Sequence, residues 1–173
     1  MAKRVVKIAV APGKAGGPAV QQLSQYGIDV GKVTEEINKK TKILANYGIN
    51  NVFVEVEVDE DTKNFEVKPE LPPIADLIMK AIGKDTGSHQ AVKELIGGDI
   101  SIEKLAEIAY IKWEELRSRN FRNALKQVIS ACRSIGVTIN GKDPKQVLKE
   151  LDAGSYDNVI TKYEELLKQE GRL

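Results

Sequence analysis

Three prolines within five positions, Pro69, Pro72 and Pro73 in the run Lys68-Pro69-Glu70-Leu71-Pro72-Pro73, set the strongest limit on what this chain can fold into. Each fixes φ near about −65°, removes a backbone donor and pushes the residue before it out of the helical region. Neither a helix nor an interior strand runs through such a segment, so a domain boundary is expected there. Upstream of it the apolar residues alternate in places; downstream they recur at helical spacing. The expected fold class is therefore α+β. A small N-terminal α/β sandwich with antiparallel strands covers residues 1–68 and a proline-rich linker 69–73. A compact three-helix domain covers 74–142 and a helical C-terminal extension 143–173.

Within the first part, Lys3 to Val10 reads as a strand stopped by Pro12-Gly13, and Val52, Val54, Val56 and Val58 alternate with Phe53, Glu55 and Glu57. Phe65-Glu66-Val67 follows the polar turn Asp59 to Lys63 and completes a hairpin. Glu55 and Glu57 share a strand face without His, Cys or a third acid nearby, which fits a solvated surface and not acid–base chemistry. Short helices are expected from Ala19 to Tyr26 and from Gly31 to about Lys42, the second capped by Asp29 or Gly31. The loop from Gly13 to Gly17 raises phosphate binding, since bare backbone N–H groups can cradle oxyanions. A common phosphate loop brackets four residues with glycines before Lys-Ser/Thr, whereas Lys14 here precedes the glycine pair and is followed by Ala15. A flexible connection is the better reading; a small nucleotide-binding enzyme using this loop stays as an alternative.

Beyond the prolines, Ile74 to Ile82 reads as a helix stopped by Gly83. The polar loop that follows holds Gly87, Ser88 and the only histidine, His89. One histidine and one cysteine, Cys132, provide neither a metal site nor an internal disulfide. Ser101 caps a helix whose Ile102, Leu105, Ala106, Ala109, Trp113 and Leu116 form one stripe, with Ile108 and Ile111 off it. Asp143-Pro144-Lys145-Gln146 combines an N-cap, a first-turn proline and a capping-box Gln, so another helix starts there. A last one is expected from Ser155. The tail from Lys142 onward carries six bases and seven acids, which is no nucleic-acid-binding arm.

Between these helices lies a charge anomaly. Arg117, Arg119, Arg122, Lys126, Arg133 and Lys142 fall in a stretch with no acid between Glu115 and Asp143, although the net charge of the chain is only +1. At 100° per residue, Phe121, Leu125, Val128, Cys132 and Ile135 form one face, and Arg119, Arg122, Lys126, Ser130 and Arg133 the other. A near-neutral chain binds nucleic acid only through such a local patch. The cations supply phosphate contacts, and Asn123, Gln127, Ser130 and Ser134 reach hydroxyls and base edges. Ser130, Ala131, Ser134 and Gly136 keep the backbone close to a surface, which suits the wide, shallow minor groove of RNA. A DNA-binding three-helix transcription factor is a further alternative, and a merely solvated basic helix the plain one. With 42% apolar residues and no apolar run near the roughly 20 that a span needs, the chain reads as a cytosolic, globular one.

Several of these residues match a known pattern. Ile37-Asn38-Lys39-Lys40-Thr41, Thr62-Lys63-Asn64-Phe65-Glu66-Val67, Leu71-Pro72-Pro73, the run from Cys132 to Pro144 and Gly154-Ser155-Tyr156-Asp157 together resemble the family of large-ribosomal-subunit protein eleven in its archaeal and eukaryotic form. This is the stalk-base protein of the GTPase-associated centre. The resemblance reaches from the N-terminus to about Ile160. It implies a C-terminal helical domain that clamps a compact fold of large-subunit rRNA, and an N-terminal domain facing the stalk proteins and the translational GTPases, on the cytoplasmic ribosome. It also implies an RNA surface made of the helix from Arg119 to Gly136, the loop around Gly87 and Ser88 with His89, and the Pro72-Pro73 entry. Gly16, Gly17, Pro18, Gln21 and Gln22 become the factor-facing candidates. No catalytic residue, cofactor, DNA or membrane partner is implied. This chain differs from the family pattern in a shorter run after the first strand, with one proline, and in Ser130-Ala131 where Gly-Thr is common.

Overall fold

A computed structural model describes residues 3–83 and 98–173, which fall into two compact units, Met1–Leu71 and Pro72–Leu173. In the first, β1 (Lys3–Val10) leads through α1 (Pro18–Gln21) and α2 (Val30–Thr41), each prolonged by a tight 3-10 turn, to β2 (Val52–Asp59) and β3 (Phe65–Pro69). β2 lies between the other two and is antiparallel to both, with Val6 opposite Val56 and Val56 opposite Val67. Alternation decides the faces. Val52, Val54, Val56, Val58, Ile8, Val10 and Val67 are buried with Val20, Leu23, Val33, Ile37 and Leu44 from the helical segment. The other face is a charged lattice: Glu57 sits between Lys3 at 3.7 Å and Lys68 at 3.5 Å, and Lys7 pairs with Glu70 at 2.9 Å. That is the solvated surface expected of Glu55 and Glu57.

The second unit runs α3 (Ile74–Ala81), β4 (Asp99–Ile100), α4 (Ile102–Ile111), α5 (Trp113–Leu116), α6 (Phe121–Ile135), β5 (Thr138–Ile139), α7 (Pro144–Asp152) and α8 (Asp157–Gln169). α6 is its centre, packed by α3, α4, α5, α7 and α8. Phe121 stacks on Tyr163 of α8, with ring centroids 5.6 Å apart. β4 and β5 pair in parallel, and the Asp99 carboxylate ties them together by accepting from the Thr138 hydroxyl and the Gly141 N–H, both at 2.7 Å. The extension from 143 onward is thus part of the same packed unit, with α7 on α6 and α8 on α4 and α6.

Four local expectations change. The stripe from Ser101 to Leu116 is two helices, not one, because the chain turns at Lys112 (φ −98°, ψ 15°). Lys112 is buried and donates to the Pro72 carbonyl at 2.7 Å and to Glu115 at 2.9 Å, so the break secures the start of the unit. Ile108 and Ile111, off the stripe, are buried as well, since α4 is enclosed by α3, α6 and α8. The basic helix begins at Phe121, where Asn120 is the N-cap and accepts from the Asn123 N–H at 2.9 Å; Arg119 lies in the turn before it. The last helix starts at Asp157, leaving Gly154-Ser155-Tyr156 as a corner.

Candidate nucleic-acid interface

Residues on α6 recur on one side every three or four positions, giving one exposed row and a second, half-exposed one interrupted by the buried Ile129. One row is Asn123, Gln127, Ser130 and Ser134, all exposed. Its hydroxyls lie back on the helix, Ser130 Oγ donating to the Lys126 carbonyl at 2.9 Å and Ser134 Oγ to the Ser130 carbonyl at 3.5 Å. Gln127 turns toward the preceding loop, donating to Ser118 Oγ at 2.7 Å and the Leu116 carbonyl at 3.2 Å. The outcome is a low, polar surface. Gly136 closes the helix at φ 75°, in the left-handed region where a side chain is strained, and its N–H and that of Val137 take up the last carbonyls.

The second row is Arg122, Lys126, Ile129 and Arg133, and it runs beside α7. Arg122 donates to the Leu151 carbonyl and to Asp157 at 2.5 Å, Lys126 pairs with Asp152 at 2.6 Å, and Ile129 is fully buried. Lys142, at the far end of the basic stretch, pairs with Glu150 at 2.8 Å. Three of the six cations in the acid-free stretch are thereby matched by acids of the C-terminal helices. Arg117, Arg119 and Arg133 are exposed and form no ion pair with a described residue. The tail's net charge had hidden this pattern, because its balance says nothing about where its acids point. A sequence signal was present in hindsight: Asp152 and Asp157 flank the Gly154 corner.

The remaining candidates lie elsewhere. Pro73 precedes α3 as its N-cap and Pro72 is held by Lys112. Gly87, Ser88 and His89 fall outside the described residues. Gly16, Gly17, Pro18, Gln21 and Gln22 are exposed at the two ends of the short α1, in the first unit. In that loop the Gly13 N–H donates to Thr41 Oγ1 at 3.0 Å, the Lys14 N–H to the Ala11 carbonyl at 3.0 Å and the Ala15 N–H to Asn38 Oδ1 at 2.6 Å. Its first three amides are already engaged, which leaves the loop a poor phosphate cradle and weakens the nucleotide-binding alternative. Among the described residues no group of three or more His, Cys, Asp and Glu side chains is placed to hold a metal ion, and no helix is long and apolar enough to cross a membrane.

Residues 70–139, which span α3 to β5 and contain both rows of α6, match the family described as ribosomal protein L11, RNA binding domain. Along its length the chain is 40% identical over 167 residues to the large ribosomal subunit protein uL11 of Methanopyrus kandleri, covering 95% of this chain and 98% of the relative. The chain belongs to the uL11 family. The uL11 protein of Methanocaldococcus jannaschii is 41% identical over 159 residues, with 91% and 96% of the two chains covered. That of Sulfolobus acidocaldarius is 36% identical over 167 residues, covering 95% and 96%. The uL11 family consists of large-subunit ribosomal proteins and not of enzymes, in agreement with the resemblance seen in the sequence. Within this uL11 chain, the RNA-binding-domain match ends at Ile139, so Glu150, Asp152 and Asp157 lie beyond it.

Proposed function

We propose that this chain is a structural component of the large ribosomal subunit that binds and orders the GTPase-associated region of large-subunit rRNA at the base of the stalk, on the cytoplasmic ribosome. The observation that carries this reading is the low row Asn123, Gln127, Ser130 and Ser134 on α6, flanked by the exposed Arg119 and Arg133, which pair with no acid among the described residues, inside the segment that matches the RNA-binding domain. A wide minor groove offers 2′-hydroxyls that both donate and accept, and reading them needs polar groups on a backbone that comes close. Small side chains and the tight ending at Gly136 meet that need; Arg119 and Arg133 add phosphate attraction. The Pro72-Pro73 entry and the Gly87-Ser88-His89 loop belong to the same proposed surface. Gly16, Gly17, Pro18, Gln21 and Gln22 of the first unit are the proposed contacts for the stalk proteins and for the translational GTPases in their transient visits. The role needs no cofactor.

Binding of the full chain to a folded transcript of the GTPase-associated region, with a DNA duplex as competitor, tests this. The chain is expected to hold the RNA against the duplex. Ser134→Leu, at an exposed position, is expected to weaken RNA binding at least ten-fold while the unfolding midpoint stays unchanged. Equal affinity for the duplex, or full RNA binding by Ser134→Leu, would sink the reading.

A further inference from the structure

Of the cations on α6, two are spent within the molecule before any RNA arrives, and the way they are spent looks built. Arg122 is clasped by the Leu151 carbonyl, at the end of α7 where the helix dipole is negative, and by Asp157 at 2.5 Å. Lys126 meets Asp152 at 2.6 Å. The corner that brings these acids in depends on Gly154, whose φ of +92° lies where side chains are strained and where an added Cβ would meet Asp157 Oδ2 at 3.1 Å. Asp152 and Asp157 are nevertheless more than half exposed, at 58% and 56%, so they face whatever approaches this flank.

Resting on the RNA-binding reading above, we infer that Asp152 and Asp157 are specificity-determining residues: they cancel Arg122 and Lys126, so that the basic flank of α6 does not act as a general phosphate grip. Phosphate attraction is sequence-independent and supplies nearly all non-specific binding. A basic flank offering Arg119 from the turn and Arg122, Lys126 and Arg133 from α6 without restraint would hold any A-form RNA. With the two carboxylates in place the part of the flank that holds Arg122 and Lys126 is neutral, and a phosphate placed there meets two acids at its edge. Selection then falls to the row Asn123, Gln127, Ser130 and Ser134, which tolerates only a surface of matching shape. Ion pairs that reach solvent in this way add little to stability, so holding the fold is not their main effect.

The test uses the full chain with two RNAs, the folded transcript of the GTPase-associated region and an unrelated hairpin of equal length, each titrated over a range of salt. Asp152→Asn with Asp157→Asn is compared with a charge-matched control, Glu35→Gln with Glu165→Gln. Freeing two phosphate contacts steepens the salt dependence of hairpin binding by about 1.4–1.8 in log–log slope and tightens it roughly ten-fold at low salt. Affinity for the folded transcript changes less than three-fold, so discrimination falls. A hairpin slope equal to the control's overturns the inference. Lys126→Gln in the otherwise native chain, which leaves the corner itself untouched, is the second arm: both RNAs keep their slopes, and a loss of about 0.7–0.9 on the transcript shows that Lys126 contacts phosphate and overturns it too. If the native chain fails to distinguish the transcript from the hairpin at all, the RNA-binding reading itself fails, and this inference with it.

Discussion

Lys126 and Arg133 sit two turns apart on one row of α6 and look interchangeable until the opposite side is considered: Lys126 faces Asp152 and Arg133 faces no acid among the described residues. Residue type alone does not settle a role; the partner does. Cys132 makes the same point in the core. It is fully buried, and desolvation pushes its thiol up to about 12, so at neutral pH virtually no thiolate forms to react. A maleimide reagent is expected to leave the native protein unlabelled for hours and to label it within minutes in urea; quick labelling without denaturant would show that α6 opens locally. Asp99 is set the other way. The Gly141 N–H first, then the Thr138 hydroxyl, hold its carboxyl below the ordinary carboxylate value. Because the folded value is the lower one, the carboxylate adds stability above the unfolded value of about 3.9, and this is lost as pH falls through the folded value. Asp99→Asn is therefore expected to lower the unfolding midpoint at neutral pH, with the gap from the native chain closing on the acid side. A gap that is constant with pH would mean that the loss comes from geometry and not from charge.

At the scale of elements, what the sequence disclosed and what it concealed follow from the range of the forces involved. The buried stripe of α6, the Asp143-Pro144 start of α7 and the alternating valines of β2 are encoded by neighbours a few residues apart, and each appears as expected. The turn at Lys112 depends on Pro72, forty residues away, and the burial of Ile108 depends on how many helices surround α4. No local periodicity carries that information. Of the proposed interface, the low polar row was legible because it is a property of α6 alone. The pairing of Arg122 and Lys126 was not, since it needs the corner between α7 and α8. That corner makes its own prediction. Gly154→Ala forces a side chain into a left-handed backbone and against Asp157, costing about 1–3 kcal/mol, and a urea titration measures it. An unchanged midpoint would mean that the corner relaxes freely and holds Asp157 in no fixed place.

For the whole molecule, the extent of the helical unit matters more than the extent of the family match. The match stops at Ile139, and a boundary near Lys142 is what proline and charge patterns suggest, yet α7 and α8 complete the packing around α6. Phe121 would lose its stack on Tyr163, and the side of α6 that α7 covers would be opened to water. Each large apolar side chain returned to water costs about 1.5–3 kcal/mol, so uncovering two approaches the lower end of the roughly 5–15 kcal/mol that holds a domain together. Arg172 fastens the far end as well, through Glu114 at 2.5 Å and the Tyr110 carbonyl at 2.8 Å, while its own carbonyl accepts from the Trp113 indole at 2.9 Å. A fragment from Pro72 to Leu173 is accordingly expected to unfold in one cooperative thermal transition, and one from Pro72 to Lys142 to show helix without a sharp transition by circular dichroism. If the shorter fragment melts as sharply and at the same temperature, α7 and α8 add nothing to the core. Their contribution would then be confined to the charges they bring to Arg122 and Lys126.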